Sequence, residues 1–168
     1  IRVIAQDFIL KKSYRRILRN NQDLYAKEMP AIATAEHFEL FQRYLKSRHS
    51  DGGMSEMLYP DYQAMIEDSP VQTQLTEFRD QDETLYAVCL TDKMNDGLSL
   101  VYSFFNPELQ SRSLGSYLVL WHIQRAQKMG LPHIYLGYWI SESPKMSYKT
   151  RFQPAEILAK EGWIPIES

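Results

Sequence analysis

Apolar residues recur along this chain with two periods, and each change of period marks a change of structure. Phe38, Phe41 and Leu45 follow Thr34 at three- and four-residue spacing, which predicts an N-capped helix to about His49, stopped by Ser50-Asp-Gly-Gly53. Ser13 is placed to cap a shorter helix over 14–20, with Ile17 and Leu18 inward and Arg15, Arg16 and Arg19 outward. Between these helices, 24–32 reads as a strand. Pro60 suits the first turn of another short helix through Asp68.

The period then shortens to two. Residues 72–79, 84–91 and 98–105 are three strand-like runs joined by turn-rich connectors, which predicts antiparallel sheet. The longest helix is expected over 113–129, ended by Gly130 and Pro132. A strand over 134–139, a helical turn over 144–149 and one or two closing strands within 152–166 complete the chain. A strand that returns after the long helix must join the three antiparallel ones, giving a mixed sheet with a split at its switch point, a place that ligands favour. This order resembles the GNAT-type N-acyltransferase fold. The expected class is α+β, a mixed and mostly antiparallel sheet flanked by helices. Residues 1–23 are expected to form a basic N-terminal segment, and 24–168 the GNAT-like domain.

Charge sharpens the picture. Net charge is −2 over 168 residues, but the first fifty residues carry +5, the next fifty −9 and the remainder +2. The basic first third suits a polyanion. No stretch has the length and hydropathy of a membrane span, and Cys89 is the only cysteine, so a cytoplasmic protein is expected. The four histidines show no metal-ligand spacing, and no metal is assigned. Cys89 sits mid-strand without a local base or cation and reads as packing.

Candidate chemistry lies in two places. Arg112-Ser-Leu-Gly-Ser116 precedes the long helix, where free N–H groups, the Ser113 and Ser116 hydroxyls, a close approach at Gly115 and the Arg112 guanidinium suit an anion. In GNAT enzymes a related loop cradles a pyrophosphate, but here Tyr117 stands where a small residue belongs. The second place is the end of the late strand. There Tyr135, Tyr138 and Trp139 are followed by Lys145, Lys149 and Arg151, with Lys145 and Lys149 expected on one helix face. Only Glu108 and Glu142 fall between Gly97 and Ala155, so paired-carboxylate catalysis is excluded there. Aminolysis of an activated ester, which needs little base, fits better.

Several stretches together resemble the arginyl-tRNA–protein transferase family. They are Arg16-Ile-Leu-Arg-Asn20, Phe41 to Met54, Gly97 to Pro107, Arg112-Ser-Leu-Gly115 and Leu136 to Lys149. The wording around Tyr138-Trp139 looks like the bacterial branch, the aspartate/glutamate leucyltransferases. The resemblance implies transfer of leucine from leucyl-tRNA to the α-amine of proteins with N-terminal Asp or Glu, which marks them for N-degron degradation. It implies aminoacyl-tRNA and such proteins as partners. Arg112, Ser113, Gly115 and Ser116 would hold the tRNA end, with Arg15, Arg16 and Arg19 on its backbone. Lys145, Lys149 and Arg151 would read the acceptor carboxylate, and Tyr102 and Tyr138 would position the reacting groups. The family usually carries a cysteine-rich N-terminal region suited to a metal or iron–sulfur cluster, and this chain opens where that region should be ending. No cofactor is expected in the chain itself. The alternatives are an acetyl-CoA-dependent N-acetyltransferase and a non-catalytic tRNA- or degron-binding module.

Overall fold

The computed structural model describes residues 1–48 and 57–166. The Ser50–Gly53 helix stop lies outside the described residues. The elements run β1 (Arg2–Ile4), α1 (Lys12–Arg19), β2 (Tyr25–Pro30), α2 (Ala35–Arg48), α3 (Tyr59–Glu67), β3 (Thr73–Arg79), β4 (Leu85–Met94), β5 (Gly97–Phe105), α4 (Leu114–Met129), β6 (His133–Tyr135), β7 (Ala155–Ala159) and β8 (Gly162–Pro165). Two 3₁₀ segments, Gln110–Arg112 and Pro144–Arg151, precede α4 and β7.

The strands form one sheet in the order β2-β3-β4-β5-β6-β1-β7-β8. Only the β5–β6 pairing is parallel, so the expected mixed, mostly antiparallel sheet is what the chain builds. Alternation sets its two faces. Leu75, Val88, Leu90 and Phe104 point to one face and pack with Leu40, Phe41, Tyr62 and Ile66 of α2 and α3. On the other face, Phe78, Ala87 and Cys89 meet Leu114, Tyr117 and Leu118 of α4. Val3, Leu98, Ile134 and Ala155 meet Val119, Leu120 and Ile123 farther along the same helix.

Several expectations are corrected. Residues 1–23 are not an appendage, because β1 lies between β6 and β7 and Ile1, Val3, Ala5 and Phe8 are buried in the core. A three-residue strand has no readable period, and its place is fixed by pairing with β6 and β7, at least 129 positions away. Helix α1 begins at Lys12 with Lys11 at the cap and no side-chain bond there, so Ser13 is not its cap. Thr34 does cap α2, its Oγ1 accepting from the His37 N–H at 3.2 Å. The late strand stops at Tyr135, short of its expected end at 139.

The split comes from β5. Its register with β4 slips from Leu90↔Tyr102 to Thr91↔Leu100, which leaves Val101 as a bulge. A bulge bends a strand and raises its twist. Leu98 and Leu100 therefore face α4, while Tyr102 and Phe104 face α2. The β5–β6 pairing covers only Gly97↔His133 to Ser99↔Tyr135, so the two strands part where the bulge begins. Gly97 permits the approach before the split, since a Cβ there would lie 2.4 Å from the His133 carbonyl oxygen.

Candidate active site at the sheet split

Beyond Ser99 and Tyr135 the gap is bordered by β5 on one side and residues 136–140 on the other. The latter run is held to the N-terminal strand: Leu136 N–H donates to the Ile1 carbonyl at 3.0 Å, and the Ile1 amine donates to the Gly137 carbonyl at 2.6 Å. The first turn of α4 and the 3₁₀ segment Pro144–Arg151 close the ends.

That segment decides which cation enters. A 3₁₀ helix has three residues per turn, so positions three apart share a face and positions four apart do not. Met146, Lys149 and Phe152 turn inward, while Lys145 is exposed. Lys145 and Lys149 therefore do not share a face, contrary to the α-helical expectation. The Lys149 ammonium donates to the Tyr138 carbonyl at 2.8 Å and lies 5.8 Å from that residue's own ring centre. Burial lowers its pKa below the usual lysine value, since the charge is partly removed from water.

Two clefts flank residues 136–140, and Trp139 lines both. One, about 710 Å³, lies between α1, the first turn of α4 and the 3₁₀ segment. Lys11, Ser116, Trp139 and Arg151 line it. The Trp139 indole N–H is buried without a hydrogen-bond partner. The second, about 790 Å³, opens over the face of β6, β1, β7 and β8 and is lined by Ser99, Tyr135, Ile140, Leu158 and Trp163. Its floor is fixed by polar contacts. Tyr135 Oη donates to Asp96 Oδ2 at 2.8 Å, and Arg2 Nε donates to Glu156 Oε2 at 2.7 Å.

The other expected site residues are distributed as follows. Ser116 and Arg151 line the cationic cleft. Arg15, Arg16 and Arg19 are exposed along α1, whose Tyr14, Ile17 and Leu18 pack inward. Arg112 is engaged rather than free: Nη2 bonds Asp23 Oδ2 at 2.5 Å and the guanidinium lies 4.9 Å from the Tyr86 ring centre. Its buried Nη1 has no partner. Ser113 is exposed in a left-handed conformation, with no side-chain cap bond. Gly115 answers to packing, since a Cβ there would lie 3.2 Å from the Phe105 ring. Tyr117 is buried against Phe78, at 5.6 Å between ring centres, so its bulk points into the core and not over the loop.

Tyr102 and Tyr138 are not brought together: no ring contact or hydrogen bond joins them among the described residues. Tyr102 packs against Phe41 and Phe104, and burial pushes its phenol up to about 12. Tyr138 is 74% exposed. Sequence reasoning missed Lys11 and Tyr148. Burial also pushes the Tyr148 phenol up, with smaller effects from Tyr44 and Arg48, and Tyr44 likewise acts on Tyr102. The only signal for Tyr148 was its place beside Lys149 in one motif. Cys89 is buried, with Sγ 3.2 Å from Ser103 Oγ and a thiol pushed up to about 12 by burial, which leaves it unreactive. Among the described residues no group of three or more His, Cys, Asp and Glu is placed to hold a metal. None of their helices is long and apolar enough to cross a membrane.

Comparison with known proteins agrees with this architecture. Residues 36–159 match the family model described as arginine-tRNA-protein transferase, C terminus. The aspartate/glutamate leucyltransferase of Paramagnetospirillum magneticum is 55% identical over 163 residues, covering 97% of this chain and 67% of that protein. The protein of the same name from Granulibacter bethesdensis is 53% identical over 166 residues, covering 99% of this chain and 62% of its own length. The chain thus spans about two thirds of the length of the curated relatives it matches. Among solved structures, that of L-PGS from Bacillus licheniformis superposes with a TM-score of 0.64 over 92% of this chain and 56% of the other, at 12% identity, a likeness of fold alone. The match to the family model over residues 36–159, with relatives 53% and 55% identical across nearly the whole chain, makes this chain a member of the arginine-tRNA-protein transferase family.

Proposed function

We propose that this protein transfers leucine from leucyl-tRNA to the α-amine of proteins that begin with Asp or Glu, and that it does so in the cytoplasm. The names of the relatives support the donor and acceptor. The observation that carries the reading is the inward Lys149 ammonium, fixed on the Tyr138 carbonyl within the run 136–140 that borders both clefts.

In this reading the terminal phosphates of the tRNA enter the cleft of Lys11, Ser116 and Arg151 at the start of α4, where helix N–H groups favour an anion. The exposed arginines of α1 meet the tRNA backbone, a sequence-blind contact. Lys149 accepts the side-chain carboxylate of the acceptor's first residue and so sets its α-amine beside the ester. The neutral amine attacks the leucyl carbonyl and the C–N bond forms. The C–O bond to the terminal ribose breaks, and the proton lost by the amine ends on the leaving ribose hydroxyl. An α-amine has its ordinary pKa near 7.7–8.0, so much of it is neutral without a dedicated base. Holding the two reactants in one geometry then provides most of the rate.

The test is transfer of labelled leucine from charged tRNA to peptides beginning Asp, Glu or Arg. Label reaching only the Asp and Glu peptides is the expected result. Transfer of acetyl groups from acetyl-CoA instead, or binding of tRNA and peptide without turnover, would overturn the reading.

A further inference from the structure

The mechanism uses the cationic cleft and Lys149 but leaves the 790 Å³ cleft on the far side of residues 136–140 without a role. It differs from its neighbour in charge, although apolar side chains line both. Where the first cleft presents Lys11 and Arg151, this one presents Tyr135, Ile140, Leu158 and Trp163 with the carboxylate of Glu142 at its rim. Arg2, next to it, is neutralised by Glu156 and covered by Trp163. Leu158 is 65% exposed and Ile140 48% exposed, although both are apolar. A polyanion gains nothing on such a surface, because its affinity rests on free cations.

The cleft is continuous with the reaction centre. Gly137 and Tyr138 line it, and the Tyr138 carbonyl is the group that holds Lys149. A chain whose first residue sits at Lys149 passes into this cleft when extended along the sheet face, at about 3.3 Å per residue.

Resting on the leucyl-transfer reading above, we infer that this cleft is the binding site for the acceptor polypeptide beyond its first residue. It selects apolar or aromatic side chains at the acceptor's second to fourth positions. The two clefts thus divide the two polymers of the reaction: the nucleic acid on the side that carries Lys11 and Arg151, the polypeptide on the side without cations, with residues 136–140 as the wall between them. Ser99, Tyr135, Leu158 and Trp163 are among the residues that line it.

The experiment compares a peptide beginning Asp-Phe-Leu with one beginning Asp-Gly-Gly, with the unmodified protein and with Leu158→Glu and Ile140→Glu. Both replaced side chains are exposed and lie in different segments, so loss of folding in one leaves the other as the test. The unmodified protein should favour the apolar peptide by about tenfold or more in kcat/KM, the range that burial of one large apolar side chain supplies. Each variant should bring that ratio close to one. Equal kcat/KM for the two peptides, or a variant whose loss falls on leucyl-tRNA affinity or on oligomeric state, would overturn the assignment. The same peptides carrying a fluorophore are also followed by anisotropy without tRNA. Preferential binding of the apolar peptide without leucine transfer would uphold the cleft while removing the proposed reaction. Transfer without preference would do the reverse.

Discussion

The Lys149 ammonium is anchored on the backbone carbonyl of Tyr138, eleven positions earlier, with a 2.8 Å bond. That bond ties the 3₁₀ segment to the wall between the two clefts and leaves the remaining donors of the ammonium for a ligand. Burial lowers its pKa, so the site holds a cation at some cost and gains when a carboxylate arrives.

Lys149→Ala should therefore cut kcat/KM for acidic acceptors by about a hundredfold, the effect of removing one partner of a desolvated charge pair. Leucyl-tRNA affinity should change little. Lys145→Ala, on the exposed side of the same segment, should change either quantity by less than about threefold. Steady-state transfer with Asp-peptides checks both, and a larger effect at Lys145 would contradict the assignment.

Arg15 and Arg16 are exposed on α1, whereas Arg112 is bonded to Asp23. Replacing Arg15 and Arg16 by Gln should weaken tRNA binding and flatten its salt dependence by about 0.7–0.9 for each phosphate left without its cation. Arg112→Met should mainly lower stability, by about 1–2 kcal/mol, because it removes both the ion pair and the guanidinium that lies over Tyr86. Binding titrations at several salt concentrations separate the two effects.

Acid should act in two windows. Burial pushes the His122 imidazole down to about 4 from an ordinary 6.5. Between those values the unfolded state binds more protons, so the stability given by neutral His122 is full above pH 6.5 and falls as pH drops to about 4. Burial alone would raise the Glu77 carboxyl, but bonds from Arg79 and His37 outweigh it and hold it below its usual 4.5. Its contribution is full above pH 4.5 and is lost as pH falls through the lower folded value. Urea titrations from about pH 7 to 3 should show His122→Leu flattening the upper window and Glu77→Gln the lower one. At neutral pH, Glu77→Gln should also cost about 1–3 kcal/mol, because Arg79 and His37 lose a charged partner while Glu36 still pairs with Arg79.

Gly97→Ala tests the split. The added methyl meets the His133 carbonyl, a backbone group that cannot turn away, so β5 and β6 must separate. A decrease in stability of about 1–3 kcal/mol is expected from such overpacking. Hydrogen exchange should rise first at residues 133–135.

What the sequence determined by itself is local. Thr34 as a cap, Gly130 as the left-handed end of α4 and the alternation of β3 to β5 are fixed by interactions within a few residues, and all appear where expected. The order of those elements was enough to place a mixed sheet with a split, and several stretches taken together, from Arg16 to Lys149, were enough to name the family. The tertiary structure decided what depends on partners far along the chain. The three residues of β1 carry no periodic signal and acquire a place only between β6 and β7. Arg112 looks free until Asp23, 89 positions away, is brought beside it. Lys145 and Lys149 look equivalent at four-residue spacing, and the 3₁₀ winding of their segment turns one outward and the other into the split. Val101 becomes a bulge only through its register with β4, and β5 and β6 part where that bulge begins. Short-range sterics and capping are written residue by residue, whereas register, ion pairing and cavity shape arise from surfaces that meet only after the chain has folded.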